Sequence, residues 1–174
     1  ASFLNFADFD RDGVYDLVLG FHNQKTELTQ YPSRVYKGIL KDGKISYKLQ
    51  SELPTKLKAT SAIVIFDFDL DGQLDLYLGN WYNFKGDVAI LESDNLLKGN
   101  GFNFTDVTHL LQNENRFDEE TDSYPNWTPT SSVSVCDVDK NGFPDIMTAT
   151  TNGFYNKLWL NQNGASFQDL GDIT

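Results

Sequence analysis

Residues 8–16 read Asp8-Phe9-Asp10-Arg11-Asp12-Gly13-Val14-Tyr15-Asp16, and the pattern returns twice. The copies are Asp67-Phe68-Asp69-Leu70-Asp71-Gly72-Gln73-Leu74-Asp75 and Asp137-Val138-Asp139-Lys140-Asn141-Gly142-Phe143-Pro144-Asp145, offset by 59 and 70 residues. The surroundings repeat as well. A short β-rich run precedes each copy (3–6, 62–66, 133–136) and another follows it (17–20, 76–79, 146–149). A third run comes at 34–36, 87–91 or 157–160, then a turn pair, Asp42-Gly43, Asn100-Gly101 or Asn163-Gly164. Asp-Gly and Asn-Gly favour tight hairpins because glycine takes positive φ without steric cost. A fourth run closes each unit at 45–49, 102–107 or 166–170. Helical periodicity is weak, and only 95–98 and 107–112 read as a helical turn or two.

Four short strands per unit of 45 to 70 residues is the arithmetic of a β-propeller blade. The expected fold is therefore all-β, with blades at 1–57, 58–128 and 129–174. The polar stretch 112–129, with its acidic run Asp118-Glu119-Glu120, reads as a connection between blades. Closed propellers have four to eight blades, so three imply remaining blades or other chains. The chain opens on Ala1-Ser2-Phe3 with no initiator Met, as a processed or trimmed product does.

The three nine-residue stretches hold 11 of the 25 acidic residues, and the other 14 acids balance the 14 Lys and Arg. With Arg11 and Lys140 counted, the loops carry −9 of the net −11. That balance excludes a nucleic-acid partner, which requires a basic face, and no apolar run is long enough for a membrane span. Carboxylates crowded within nine residues repel one another unless a cation joins them. Hard oxygens at alternate positions favour Ca²⁺. The candidate ligands are Asp8, Asp10, Asp12, Asp16, Asp67, Asp69, Asp71, Asp75, Asp137, Asp139, Asn141 and Asp145, with main-chain carbonyls of Val14, Gln73 and Phe143. Up to three ions follow, and the third loop, where Asn141 replaces an acid, is expected to bind most weakly. An EF-hand is excluded, since its twelfth position requires Glu between helices, and here that position is Leu19, Leu78 or Thr148.

The D-x-D-x-D-G-x-x-D loop between two strands resembles the calcium loop of FG-GAP repeats, as in integrin α-subunit propellers. The tail Asn156-Lys157-Leu158-Trp159-Leu160-Asn161-Gln162-Asn163-Gly164, followed by Phe167-Gln168-Asp169, is similar to the related VCBS-type repeats, as are Gly79-Asn80-Trp81-Tyr82 and Phe104-Thr105-Asp106-Val107-Thr108. The resemblance implies a calcium-bearing propeller, in a family whose members serve adhesion, glycan binding and scaffolding.

No nucleophile elbow, Walker loop or H-E-x-x-H motif occurs. The expected role is a non-catalytic module with a protein or glycan partner; a polysaccharide-active propeller enzyme and an accessory subunit of a larger assembly are the alternatives. Loops of this type suit millimolar calcium, hence an extracellular, periplasmic or cell-surface setting. Phe21, Trp81, Tyr82, Phe84, Phe154 and Tyr155 follow the second strands and either pack between blades or present rings to a partner. Cys136 lies in an apolar run and reads as a buried strand residue.

Overall fold

Each acidic loop joins the first two strands of a four-stranded antiparallel sheet. The computed structural model describes residues 3–22, 31–85, 87–112, 114, 119, 127–151 and 154–172. Sheet one runs β1 (Phe3–Ala7), β2 (Asp16–Gly20), β3 (Arg34–Lys41), β4 (Lys44–Glu52) in spatial order. Sheet two begins with β5 (Thr60–Phe66) and β6 (Asp75–Asn80). A separate hairpin, β7 (Tyr82–Lys85) and β8 (Val88–Leu91), then intervenes before β9 (Asn95–Asn100) and β10 (Asn103–Asp106) complete the sheet. A 3-10 turn at Thr108–Leu110 leads on toward sheet three, made of β11 (Thr130–Cys136), β12 (Asp145–Thr150), β13 (Lys157–Asn161) and β14 (Phe167–Asp172). The described residues are thus all-β, in four antiparallel sheets. Most of the polar connection at 112–129 lies outside them.

Two assignments in the second unit change. The run 87–91 is not the third strand of its sheet but one arm of the inserted hairpin, and Val88 is 66% exposed. The third strand is β9, which contains the stretch 95–98 that reads as a helical turn. The cause is burial on both faces. Leu96 and Leu97 both have no solvent exposure, one facing each neighbouring sheet, and such a strand carries no polar–apolar alternation to betray it. Cys136 is also corrected. It ends β11 on the side away from sheet two, where alternation leaves Ser132, Ser134 and Cys136 exposed while Val133 and Val135 pack inward.

The turns follow their residues. Asp42-Gly43, at φ 52° and 72°, closes a two-residue hairpin between Lys41 and Lys44, the conformation that the right-handed twist of strands prefers.

The sheets stack in sequence, each with its loop at the same end. Between sheets one and two, Val18, Val35 and Leu53 meet Leu76, Leu78 and Leu97. Between sheets two and three, Tyr77, Leu96 and Phe66 meet Ile146, Trp159 and Phe167. The second loop residue reaches across each time: Phe9 meets Phe104 edge-on at 5.7 Å, and Phe68 lies 5.9 Å from Phe167. First strands lie side by side, β5 against both β1 and β11. Close approach there depends on a missing side chain. A Cβ on Gly79, at the end of β6, would overlap Thr130 Cγ2 on β11, just as one on Gly20 would come within 2.9 Å of Ile63 Cδ1. Gly79→Ala is therefore expected to cost about 1–3 kcal/mol through overpacking, read by denaturant unfolding. An unchanged midpoint and slope would mean that the sheets are not pressed together at this point.

Candidate metal centres

The loops are tied by their own carboxylates before any ion is considered. Position one accepts two main-chain N–H groups: Asp8 from Asp12 and Gly13 at 3.1 and 2.9 Å, Asp67 from Asp71 and Gly72 at 3.1 and 2.8 Å, Asp137 from Asn141 and Gly142 at 3.0 and 2.9 Å. The chain curls tightly enough for this because positions four and six take left-handed backbone. Gly13, Gly72 and Gly142 do so at no steric cost, whereas Arg11, Leu70 and Lys140 adopt φ of 58°, 58° and 64° against their intrinsic preference. Position five then accepts the N–H of position seven, at 2.9, 2.8 and 2.8 Å in the three loops.

The ninth residue is the anchor. Asp16, Asp75 and Asp145 are fully buried or nearly so. One oxygen of each accepts the N–H of the second loop residue, Phe9, Phe68 or Val138, and the other accepts an N–H of the third strand, from Gly38, Gly99 or Asn161. All six bonds are 2.8–2.9 Å. Burial pushes the Asp75 carboxyl up to about 7, partly offset by the Gly99 and Phe68 N–H groups and reinforced by the charges of Asp69 and Asp67. Asp16 is raised for the same leading reason.

Carboxylate oxygens converge in each loop. Those of Asp8, Asp10 and Asp16 lie within 4.8 Å of one another, as do those of Asp67, Asp69 and Asp71, and those of Asp137, Asp139 and Asp145. That is twice a calcium–oxygen bond of about 2.4 Å, the widest separation two ligands of one ion can have. An oxygen-only donor set of this span fits Ca²⁺.

The structure adds two residues that the motif does not contain. Lys37 on β3 places its ammonium on Asp10 and, at 2.6 Å, on Asp12; Lys98 on β9 does the same to Asp69 and, at 2.8 Å, to Asp71. The hydrogen bond from Lys37, then that from the Val14 N–H, holds Asp12 below the usual carboxylate range; Lys98 and the Gln73 N–H do so for Asp71. In sheet three the corresponding residue is Leu160, one beyond the Ile146–Trp159 pair as Lys37 is one beyond Leu17–Tyr36. There the Asn141 amide donates instead to Asp139 at 3.3 Å and to the Asn161 carbonyl at 2.8 Å. Counting positions one, three, five and nine with the lysine, every loop carries a net −3. The repeated dipeptides Lys37-Gly38 and Lys98-Gly99 were the sequence signal for these groups.

The loops also touch neighbours. Arg11 bonds the Gly72 carbonyl, joining loops one and two, and the Asn161 amide donates to the Phe68 carbonyl at 2.8 Å, joining loop two to sheet three.

Two further features carry no sequence motif. A cavity of about 570 Å³ lies beside sheet two, lined by Trp127, Ile90 and Leu91 together with Lys58, Glu92 and Asp106. The Lys58 ammonium donates to the Ser93 carbonyl, the Ser93 hydroxyl and Asn95 Oδ1 at 2.6, 2.8 and 2.9 Å. The second is a buried ionic cluster of Lys157, Asp94 and Glu114, none with any solvent exposure.

The aromatics divide. Phe21 lies 5.5 Å from Tyr31, with the Arg34 guanidinium over both rings. Trp81 and Tyr82 meet in a tilted contact at 5.4 Å, Tyr82 and Phe84 edge-on at 5.3 Å along the inserted hairpin, and Phe154 is 40% exposed. His22 forms a bridge to Ala59, and His109 stands exposed in the 3-10 turn. Among the described residues no helix is long and apolar enough to cross a membrane. Compared with known proteins, the chain matches no family model and no curated sequence.

Proposed function

We propose that this chain is a calcium-stabilised binding or scaffold module built from FG-GAP/VCBS-like propeller blades, and that it is not an enzyme. The observation that carries the reading is repetition: three acidic loops join the same two strands of three sheets, each converging carboxylates within the span of one calcium ion. Calcium here is structural: in loops one and three the converging set takes in the anchored ninth residue, Asp16 or Asp145, and so ties the loop to its third strand. The setting is extracellular, periplasmic or cell-surface, where millimolar calcium fills such sites. A protein or glycan is the partner. The cavity beside sheet two favours a small neutral ligand, since Lys56 and Lys58 balance Glu92 and Asp106 in a lining that includes Trp127, and a pyranose ring offers an apolar face and hydroxyls to bond.

The lysines make the metal reading testable loop by loop. Calcium entering loop one or two displaces an ammonium from two carboxylates; in loop three it displaces only an amide. Lys98→Met keeps the aliphatic stem and removes the competitor, so loop two is expected to bind Ca²⁺ roughly tenfold or more tightly, a gain of about 1.4 kcal/mol. Asp69→Ala is expected to remove one site of three. Isothermal titration of both variants reads the two effects. No calcium heat in the parent chain would sink the metal reading; an unchanged affinity in Lys98→Met would sink the competition.

A further inference from the structure

The cavity beside sheet two is walled by an insertion. Ile90 and Leu91, on β8 of the inserted hairpin, form one side; Pro54 and Lys58 from the connection after sheet one, Asp106 on β10 and Trp127 form others. All of these belong to sheet two or to the connections on either side of it, so the cavity does not lie on the outer face of the first or last sheet. Its volume of about 570 Å³ is that of a small-molecule site, ~300–1,000 Å³. Binding residues concentrate on connecting segments held by a rigid scaffold.

Counted as charges, Lys56 and Lys58 against Glu92 and Asp106, the lining is neutral. Counted as protons, it is one-sided. The Lys58 ammonium donates to the Ser93 carbonyl, the Ser93 hydroxyl and Asn95 Oδ1, which accounts for every proton an ammonium has. The Asn95 amide spends both of its protons within the lining, on Asp106 Oδ2 at 3.4 Å and Thr108 Oγ1 at 3.3 Å. The Thr108 hydroxyl and N–H both go to Asp106 Oδ1, at 2.6 and 2.9 Å. Glu92 Oε2 accepts the Ala59 N–H at 2.8 Å. Donors of this network are thus committed, whereas carboxylates are acceptors only, each with room for about four hydrogen bonds. Lys56 stands exposed at the rim, where water and salt screen its charge.

We propose that the cavity recognises its ligand by accepting protons: Glu92 and Asp106 take hydroxyl hydrogens from an uncharged hexopyranose, and sugars bearing a carboxylate are turned away. A ligand carboxylate brings acceptors to acceptors and a negative charge to two others. A ligand ammonium meets the Lys58 charge. An uncharged ring supplies the missing protons from its hydroxyls and lays its C–H surface on the Ile90 and Leu91 wall. Lys58 is then a positioning residue, holding Ser93 and Asn95 in place rather than touching the sugar. The inference rests on the saccharide reading of this cavity and adds its selectivity.

Proton–nitrogen correlation spectra of the full 174-residue chain in millimolar calcium test this. The neutral probes are glucose, galactose and mannose, with the uronate of each as its acidic counterpart. Each is titrated to about 50 mM, which fills a site of millimolar Kd. At least one neutral sugar is expected to shift the amides of 90–95, 106 and 108 and the Trp127 indole. Its uronate is expected to bind roughly tenfold or more weakly, since a site built around one pattern of partners leaves the wrong ligand unpaired. Asp106→Asn keeps an acceptor, adds two protons and removes a charge, so the preference for the neutral sugar is expected to fall by roughly tenfold. Glu92→Gln makes the same change at the other carboxylate and replaces Asp106→Asn if that variant disturbs the Thr108 turn. A uronate that binds as tightly as its neutral sugar overturns this inference and leaves the cavity a saccharide site. A preference unmoved in both variants overturns it as well. Silence from every sugar, with the heat of calcium binding still present, overturns this inference and the saccharide reading of the cavity together, and leaves the calcium reading standing.

Discussion

Adding a calcium chelator is expected to lower the melting temperature of this protein by well over ten degrees. Binding free energy is folding free energy when ligands are assembled only in the native state. At free calcium a hundredfold above Kd, each site contributes about 2.7 kcal/mol, and a kcal/mol moves the midpoint of a domain this size by roughly 2–4 °C. Three sites act together on sheets that share their faces, so the losses accumulate in one transition. Magnesium is expected to substitute poorly, because it keeps its water and demands a stricter octahedron. The effect carries a pH signature through Asp75. Its carboxyl rises from 3.8 to about 7 in the fold, so the metal-free native state binds that proton more tightly than the unfolded chain does. Metal-free stability is therefore greatest below about pH 4 as far as this group is concerned, and it is lost as pH climbs toward 7. A calcium ion held by Asp67, Asp69 and Asp71 would favour the ionised form of Asp75 beside them and so release its proton. The stabilisation by calcium should accordingly grow between pH 5 and 7. Scanning calorimetry with calcium, magnesium and chelator at pH 5 and 7.5 checks both statements. A midpoint indifferent to chelator at pH 7.5 sinks the structural-calcium reading.

What the sequence revealed and what it concealed have a common physical basis. The loops were legible because Asp, Gly and alternate spacing are local requirements, satisfied within nine residues. Strands with one face packed and one wet, such as β11 with its Ser–Val alternation, were legible for a similar reason. β9 was not, because Leu96 and Leu97 serve two cores at once and a strand buried on both faces has no period to read. Its place was taken on paper by Val88–Leu91, whose β-branched and aliphatic content forms a strand in a surface hairpin instead. Cys136 shows the converse error: an apolar neighbourhood in sequence is no guide to which side of a strand a residue occupies. In the acidic loops the converging carboxylates were visible, whereas Lys37 and Lys98, signalled only by the repeated Lys-Gly dipeptides, arrive from a strand 25 to 29 residues away. Nor was the charge of the core visible. Acids and bases outside the loops nearly cancel in number, 14 against 12, yet buried Asp94 and Glu114 share a single cation, Lys157, in direct contact.

Removing Lys157 should cost more than any surface charge in the molecule. Its ammonium lies 3.0 Å from Glu114 Oε2 and 3.6 Å from Asp94 Oδ2, and 5.3 Å over the Trp159 ring. Burial alone would push its proton off; the two carboxylates outweigh that and hold it above its ordinary range. Asp94 is otherwise well served, by the Tyr77 hydroxyl at 2.6 Å, the Thr130 hydroxyl at 2.8 Å and the Asn80 N–H at 2.7 Å, and its own N–H donates to Glu114 at 2.9 Å. The cluster thus ties β6, β9, β11 and β13 across the junction of sheets two and three. Lys157→Ala leaves two buried carboxylates facing a cavity, and breaking a buried pair from one side costs about 3–5 kcal/mol. Glu114 supplies the diagnostic. Burial already pushes its carboxyl up to about 7, with Lys157 pulling it down and Asp94 adding to the rise. A raised acid in the fold is stabilising below its unfolded pKa and loses that contribution as pH climbs through the folded value. Without the lysine the folded value moves higher still, so the penalty should be small at pH 5 and near its full size at pH 8. Glu114→Gln in the same chain removes one charge while keeping the acceptor for the Asp94 N–H, and should recover part of the loss at pH 8 but little at pH 5. Urea unfolding of the parent, both single variants and the double variant at the two pH values closes the cycle. A Lys157→Ala penalty below about 1 kcal/mol at pH 8 would mean the cluster is hydrated in solution; a large penalty equal at both pH values would mean the loss is one of packing, not charge.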